Sequence, residues 1–270
     1  MENKIVFEKN SFSKRQKSML RVDARRMFKS RLFYILIATS LLMPILMTVM
    51  MAMMDGSVSV DQQTGKETVL QGPVNAWQNI GTPNGIEANE ASMEIFSMCN
   101  INMMFMAVAV FICLFISDDF RSGYAKNLFT VRAGKSDYVI SKTVAGLICG
   151  ILMLIAYFGG SMLGGLFASL SFDLGGFSAF NIAMCFLSKC ALMLVFIPIF
   201  VLVSVIAKQK AWLALIGSLA AGMLLFMMVG MISPLGSGLI NFGLCLGGGA
   251  IFTFGLGALS VLILKKTSLV

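Results

Sequence analysis

The residues able to do chemistry in this chain are few and unevenly placed. Histidine is absent from all 270 residues, which removes the commonest metal ligand and the commonest general base near neutral pH. The six cysteines, Cys99, Cys113, Cys149, Cys185, Cys190 and Cys245, lie in or beside apolar runs, without CxxC or Cys/His spacing. Neither a zinc site nor a disulfide framework is expected from that pattern. Gly134-Lys135-Ser136 has the form of the end of a phosphate-binding loop. That loop needs a further glycine five residues before Gly134, so that backbone N–H groups can wrap the phosphates. The position is Phe129, so the chain is not expected to bind a nucleotide, to carry a cofactor or to be an enzyme.

The polar chemistry concentrates in Asp118–Lys142, with eight charged residues in 25 positions, whereas the whole chain is 13% charged. Long apolar runs flank this stretch. Hydrophobic residues make up 57% of the chain and mean hydropathy is +0.85. A bilayer core about 30 Å thick takes roughly 20 apolar helical residues to cross, and runs of that length recur. The fold class is therefore an all-α polytopic membrane protein. Spans are expected near 32–54, 93–117, 144–167, 187–206, 211–232 and 239–264, six in all, forming one transmembrane domain over 32–270. A cleaved leader is disfavoured because the first apolar run is long and starts far from the N-terminus.

Residues 1–31 are basic, with ten Lys/Arg. Leu20, Ala24, Met27 and Phe28 form a stripe at helical spacing, as expected of an amphipathic helix lying in the headgroup plane; the alternative is a solvated basic tail. The loop 55–92 has a net charge of −4, and Trp77 is a candidate interfacial anchor. Nineteen of the 21 Lys/Arg fall on one side of a six-span arrangement; only Lys66 and Lys189 do not. By the positive-inside rule both termini and the segment 118–142 are cytoplasmic and 55–92 is outside. The basic pI reflects this topology, and nucleic acid is not an expected partner.

Within the spans, Gly160 and Gly164 form a GxxxG pair suited to close helix packing. Glu94, Asn100 and Asn102 are candidates for a substrate path. Lys189 has two readings: an interfacial lysine snorkelling to water from a span starting near 187, or, if the span starts nearer Phe180, a deep lysine with a partner such as Glu94. Residues 233–249, with Pro234 and six glycines, form either a re-entrant segment before the last span or a loop followed by one long span.

Ser117–Val131 reads as a short amphipathic helix with Phe120, Tyr124 and Leu128 on one side and Gly123 open to close approach. Aromatic anchors with a few charges suit docking into a partner's groove. The mid-span regions are almost free of charge, which disfavours a proton-coupled carrier and favours a permease driven by an external motor. Asp119-Phe120-Arg121-Ser122-Gly123-Tyr124-Ala125-Lys126-Asn127-Leu128 resembles the acidic-aromatic-x-x-Gly-x-x-Lys-Asn-Leu stretch of ABC transporter type-2 permeases, the membrane subunits of ABC exporters. Asp119 stands where glutamate is commoner, and Tyr124 where a small or β-branched residue is usual. The in-plane basic helix, the six spans and the re-entrant alternative are similar to that family's layout.

The resemblance implies a coupling helix that docks on a separate ABC ATPase dimer carrying the ATP and magnesium, with Asp119, Phe120, Arg121, Gly123, Lys126 and Asn127 as the contact set. It also implies a second permease copy or a homologous permease, placed together in a bacterial cytoplasmic membrane. Cargo would be hydrophobic or amphipathic, such as an antimicrobial peptide. The competing reading is a non-transporting membrane sensor, scaffold or immunity protein.

Overall fold

The computed structural model describes residues 12–60, 67–69, 75–81, 100–131, 134–174 and 176–266. Its elements are α1 (Phe12–Lys29), α2 (Arg31–Met53), a hairpin of β1 (Val58–Val60) and β2 (Glu67–Val69), and a 3-10 turn (Ala76–Asn79). They continue as α3 (Met103–Arg121), α4 (Tyr124–Val131), α5 (Lys135–Phe167), α6 (Ala179–Ala207), α7 (Ala211–Ile232) and α8 (Leu239–Lys266). Five of these helices, α2, α3, α5, α6 and α8, are long and apolar enough to cross a membrane. The chain is an all-helical polytopic membrane protein, apart from the short antiparallel hairpin that pairs Val58 with Val69.

α3, α5 and α6 form the interior. Phe105, Val108, Ile112, Met153, Met193, Phe196 and Phe200 are buried at their shared contacts, and Phe105 stacks on Phe196 with ring centroids 4.5 Å apart. α2 lies against α5, α8 against α6, and α7 against α3 and α6. The outer faces of α2, α7 and α8 expose Leu46, Leu224, Ile240 and Phe254, as suits side chains in contact with lipid tails.

Glycine sets the α2–α5 contact. A Cβ on Gly160 would collide with the Leu41 carbonyl oxygen and come within 2.7 Å of Pro44 Cγ, and one on Gly164 would lie 3.0 Å from Ile45 Cα. The α6–α8 contact has a different origin. Pro198 has no N–H, so the carbonyl of Leu194 four residues earlier loses its intrahelical partner. Thr253 of α8 donates to that carbonyl at 2.8 Å, and a Cβ on Gly249 would lie only 2.7 Å from Leu194 Cβ. A freed backbone group inside a membrane has to be satisfied by a neighbour, and here the neighbour is α8. Thr253→Val, which keeps the shape and removes the donor, is expected to cost about 1–2 kcal/mol, read as a lower unfolding temperature in detergent.

Several helices run further than the apolar runs. α5 begins at Lys135 rather than near 144 and α6 at Ala179 rather than near 187. Hydropathy stops at charged residues, whereas a helix continues through them when they find partners. Residues 93–99 lie outside the described residues, so the start of the expected second span is not described. Of the two readings of 233–249, the structure has a loop followed by one long helix: α7 ends at Ile232, a short link follows, and Gly243 and Gly247–Gly249 are interior to the single helix α8.

The longer α6 settles the depth of Lys189. It is the eleventh residue of the helix, about 15 Å from its start at 1.5 Å per residue, and it is fully buried. The shallow, snorkelling position is thus overturned. Nζ donates to Asn102 Oδ1 at 2.7 Å, Ser233 Oγ at 3.1 Å and the Ser233 carbonyl at 3.4 Å. Three donors meet three acceptors, two of them at the C-terminal end of α7, where the helix dipole favours a cation. Glu94 lies outside the described residues. Lys189→Met removes a donor shared by α3 and α7 and is expected to destabilise by about 1–3 kcal/mol; unchanged melting in detergent would show that these acceptors do not depend on it.

Candidate functional site

The basic ends of the helices gather at one end of the bundle. α1 packs on the start of α5, and Lys135 Nζ donates to the Leu264 carbonyl near the end of α8 at 2.6 Å. At this end the described parts of the segment 118–142 are mainly helical: the last turn of α3, all of α4 and the first turns of α5. The break between α3 and α4 falls at Ser122-Gly123, where Gly123 has φ +75°. That left-handed conformation favours glycine, and the expected continuous helix over 117–131 is divided there.

Beneath the break lies a buried charge cluster. Asp119 from α3, Lys142 from α5 and Asp23 from α1 are each at most 2% exposed. Lys142 Nζ is 2.8 Å from Asp23 Oδ1 and 2.7 Å from Asp119 Oδ2. Arg26 Nη1 lies 2.6 Å from Asp119 Oδ1 and 3.8 Å from Asp23 Oδ1. Two acids and two bases therefore balance. Hydroxyls add to the cluster: Ser141 donates to Asp23 at 2.6 Å and Tyr138 to Asp119 at 3.0 Å. Both cations also face rings: Lys142 Nζ is 4.0 Å from the centroid of Phe115, and the Arg26 guanidinium 4.4 Å from that of Tyr124. Burial alone opposes the charge on Arg26, but Asp119 and Asp23 outweigh it and raise its pKa. Burial, reinforced by Asp23, raises the Tyr124 phenol, so it stays protonated beside the cluster.

An ion cluster taken out of water keeps its energy only when every partner is present and well placed. The cluster therefore acts as one unit that pins α1, the end of α3 and the start of α5. α4 joins it through Tyr124 and through Phe129, which meets Tyr138 edge-on at 5.3 Å.

This geometry divides the sequence-predicted contact set. Asp119 and Phe120 point inward, Phe120 being 7% exposed and 6.3 Å from the Tyr138 ring. Arg121, Lys126 and Asn127 are exposed on the outer side of the break, with Gly123 half-buried between them. Tyr124 and Leu128 face α1 across a cavity of about 250 Å³ that also touches Met19, Val22 and Asp137, so the apolar side of α4 is met from within the chain. Gly160 and Gly164 are far along α5, at the α2 contact. Asn102 holds Lys189, Asn100 accepts from the Asn102 backbone N–H at 2.9 Å, and Glu94 lies outside the described residues.

Sequence reasoning missed Asp23, Arg26, Tyr138, Ser141 and Lys142. One signal was available: Asp23 is the single acid within α1 and sits three residues from Leu20 and four from Met27, on the stripe side. An acid on the apolar face of a basic helix calls for a buried cation.

No family model matches the chain, and the comparisons with curated proteins and with solved structures found no match.

Proposed function

We propose that the chain is the permease subunit of an ATP-driven ABC exporter, with six spans, both termini in the cytoplasm of a bacterium, and α4 as the helix that docks on a separate ATPase dimer. The observation that carries this reading is α4 itself. It is an eight-residue amphipathic helix hinged on Gly123, set between two apolar helices, with its root tied by buried charges to α1 and α5. A force applied to α4 would reach three other helices through contacts that cannot slip without stranding a charge. Phe129 stands where a phosphate-binding loop needs a glycine, which supports ATP hydrolysis on a partner, and α7, a mostly apolar helix of 22 residues, serves as the sixth span. A second permease copy or homologue completes the pathway, and the cargo is hydrophobic or amphipathic, such as an antimicrobial peptide.

The exposed residues carry the test. Phe120→Asp would bury a carboxylate and Gly123→Asp would strain a left-handed backbone, so neither isolates docking from folding. Lys126→Glu and Asn127→Ala lie on the exposed side. Both are expected to leave the protein's abundance in the membrane unchanged and to lower co-purifying ATPase activity about tenfold. An intact preparation from native membranes with no ATPase activity would favour the sensor, scaffold or immunity reading instead.

A further inference from the structure

A second cavity of about 270 Å³ lies at the same end, between the start of α2, the last three turns of α3 and the first residue of α7. Its floor is apolar: Phe111 and Phe115 stack at 5.3 Å, with Leu32 and Leu114 beside them. Its rim carries Asp118 and Arg121, which sit three residues apart on α3 and so share a helix face. They do not pair with each other. The Asp118 side chain is 70% exposed and pairs with Arg26 at 3.9 Å, while Arg121 makes no ion pair with any of the described residues. Ser117 also lines the cavity. It is 2% exposed, and its hydroxyl has no hydrogen-bond partner among the described residues. The space it lines has one positive and one negative side chain above an apolar base.

We propose that this cavity holds the headgroup of a zwitterionic amphiphile, a phospholipid bearing a phosphate and a primary amine. Arg121 takes the phosphate through its planar fork of N–H donors, and Asp118 accepts from the ammonium. The first acyl carbons lie on Phe111, Leu114 and Phe115. A purely anionic lipid would leave Asp118 facing a like charge, and a soluble ligand would leave the apolar floor uncovered. The inference rests on the membrane orientation proposed above, which puts this end at the inner leaflet, and not on coupling to an ATPase.

The test uses the full-length protein, delipidated in detergent without any ATPase, and titrated by native mass spectrometry with phosphatidylethanolamine, phosphatidylcholine and phosphatidylglycerol of the same acyl chains. Phosphatidylethanolamine is expected to occupy the protein preferentially. Arg121→Gln is expected to weaken it about tenfold, the effect of losing one charged hydrogen-bond partner. Asp118→Asn should bring it down to the level of phosphatidylglycerol. Ser117→Leu, which fills the cavity, should reduce all three lipids, and the two rim variants keep the proposal testable if that one fails to fold. Equal binding of all headgroups, a preference for phosphatidylglycerol, or unchanged binding by Arg121→Gln would overturn the proposal. Competition by free phosphoethanolamine at concentrations equal to the lipid would also overturn it, since the apolar floor would then contribute nothing. Because the ATPase is absent, a failed lipid titration is distinguishable from a failed docking experiment.

Discussion

Lys142→Met is expected to lower the stability of the folded protein by about 3–5 kcal/mol, the cost of leaving buried charge without its partner. Among the described residues Lys142 is the only cation within 3 Å of both Asp23 and Asp119, and all three side chains are closed to solvent. Its Nζ lies 4.0 Å from the Phe115 ring centroid and 5.3 Å from that of Tyr138, so the unbranched, apolar methionine suits the site and the loss reads the charge more than a cavity. Arg26 cannot substitute: it already lies against Asp119 Oδ1 and is 3.8 Å from Asp23. The double variant Lys142→Met with Asp23→Asn keeps an acceptor for Ser141 and leaves Arg26 and Asp119 as a neutral pair. It is expected to recover most of the lost stability. Thermal unfolding of the three proteins in one detergent checks this. A double variant as unstable as the sum of its single changes would mean that the cluster does not act as a unit.

Gly160→Leu is expected to separate α2 from α5. The position a Cβ would take is occupied by the Leu41 carbonyl oxygen, a backbone atom within a helix, and by Pro44 Cγ. Neither can swing aside as the end of a flexible side chain can. Overpacking at a yielding site costs about 1–3 kcal/mol; at this one the helix itself must shift, which also pulls Thr48 from Asn79, its partner at 2.6 Å. The neighbouring Gly159→Leu is the matched control. A Cβ there meets nothing within 4 Å, so the change is expected to stay within about 0.5 kcal/mol. Membrane abundance and unfolding temperature should fall for the first and hold for the second. Equal behaviour of the pair would show that close approach at Gly160 is not what holds α2.

The exposed and buried halves of the 118–131 segment matter differently for function. If α4 is a handle, its outward residues Arg121, Lys126 and Asn127 set the grip. Asp119, Phe120 and Tyr138 instead set how the grip is transmitted. Variants of the first kind should lose the partner with the fold intact. Variants of the second kind should lose stability before anything about the partner can be read.

The sequence by itself determined the membrane class, because apolar runs of bilayer length have few other uses, and it placed the helices that those runs contain. It located the segment where charge concentrates, but it read 117–131 as one helix, and only the structure divides that helix at Gly123. It did not place the ends of α5 and α6, because Asp137, Lys142 and Lys189 read as loop or interface by hydropathy alone. Whether a charge ends a span or is buried within one depends on partners distant in the chain: Asp23 lies 119 residues from Lys142, and Asn102 lies 87 from Lys189. Composition records that a lysine is present, but only the packing of α1 against α5, and of α3 and α7 against α6, decides that its charge is met. The same reason divides the segment on which the sequence is most explicit. Periodicity put Phe120, Tyr124 and Leu128 on one side of a helix without saying what that side faces, and the tertiary structure turns it towards α1 and α5, leaving Arg121, Lys126 and Asn127 for whatever lies outside.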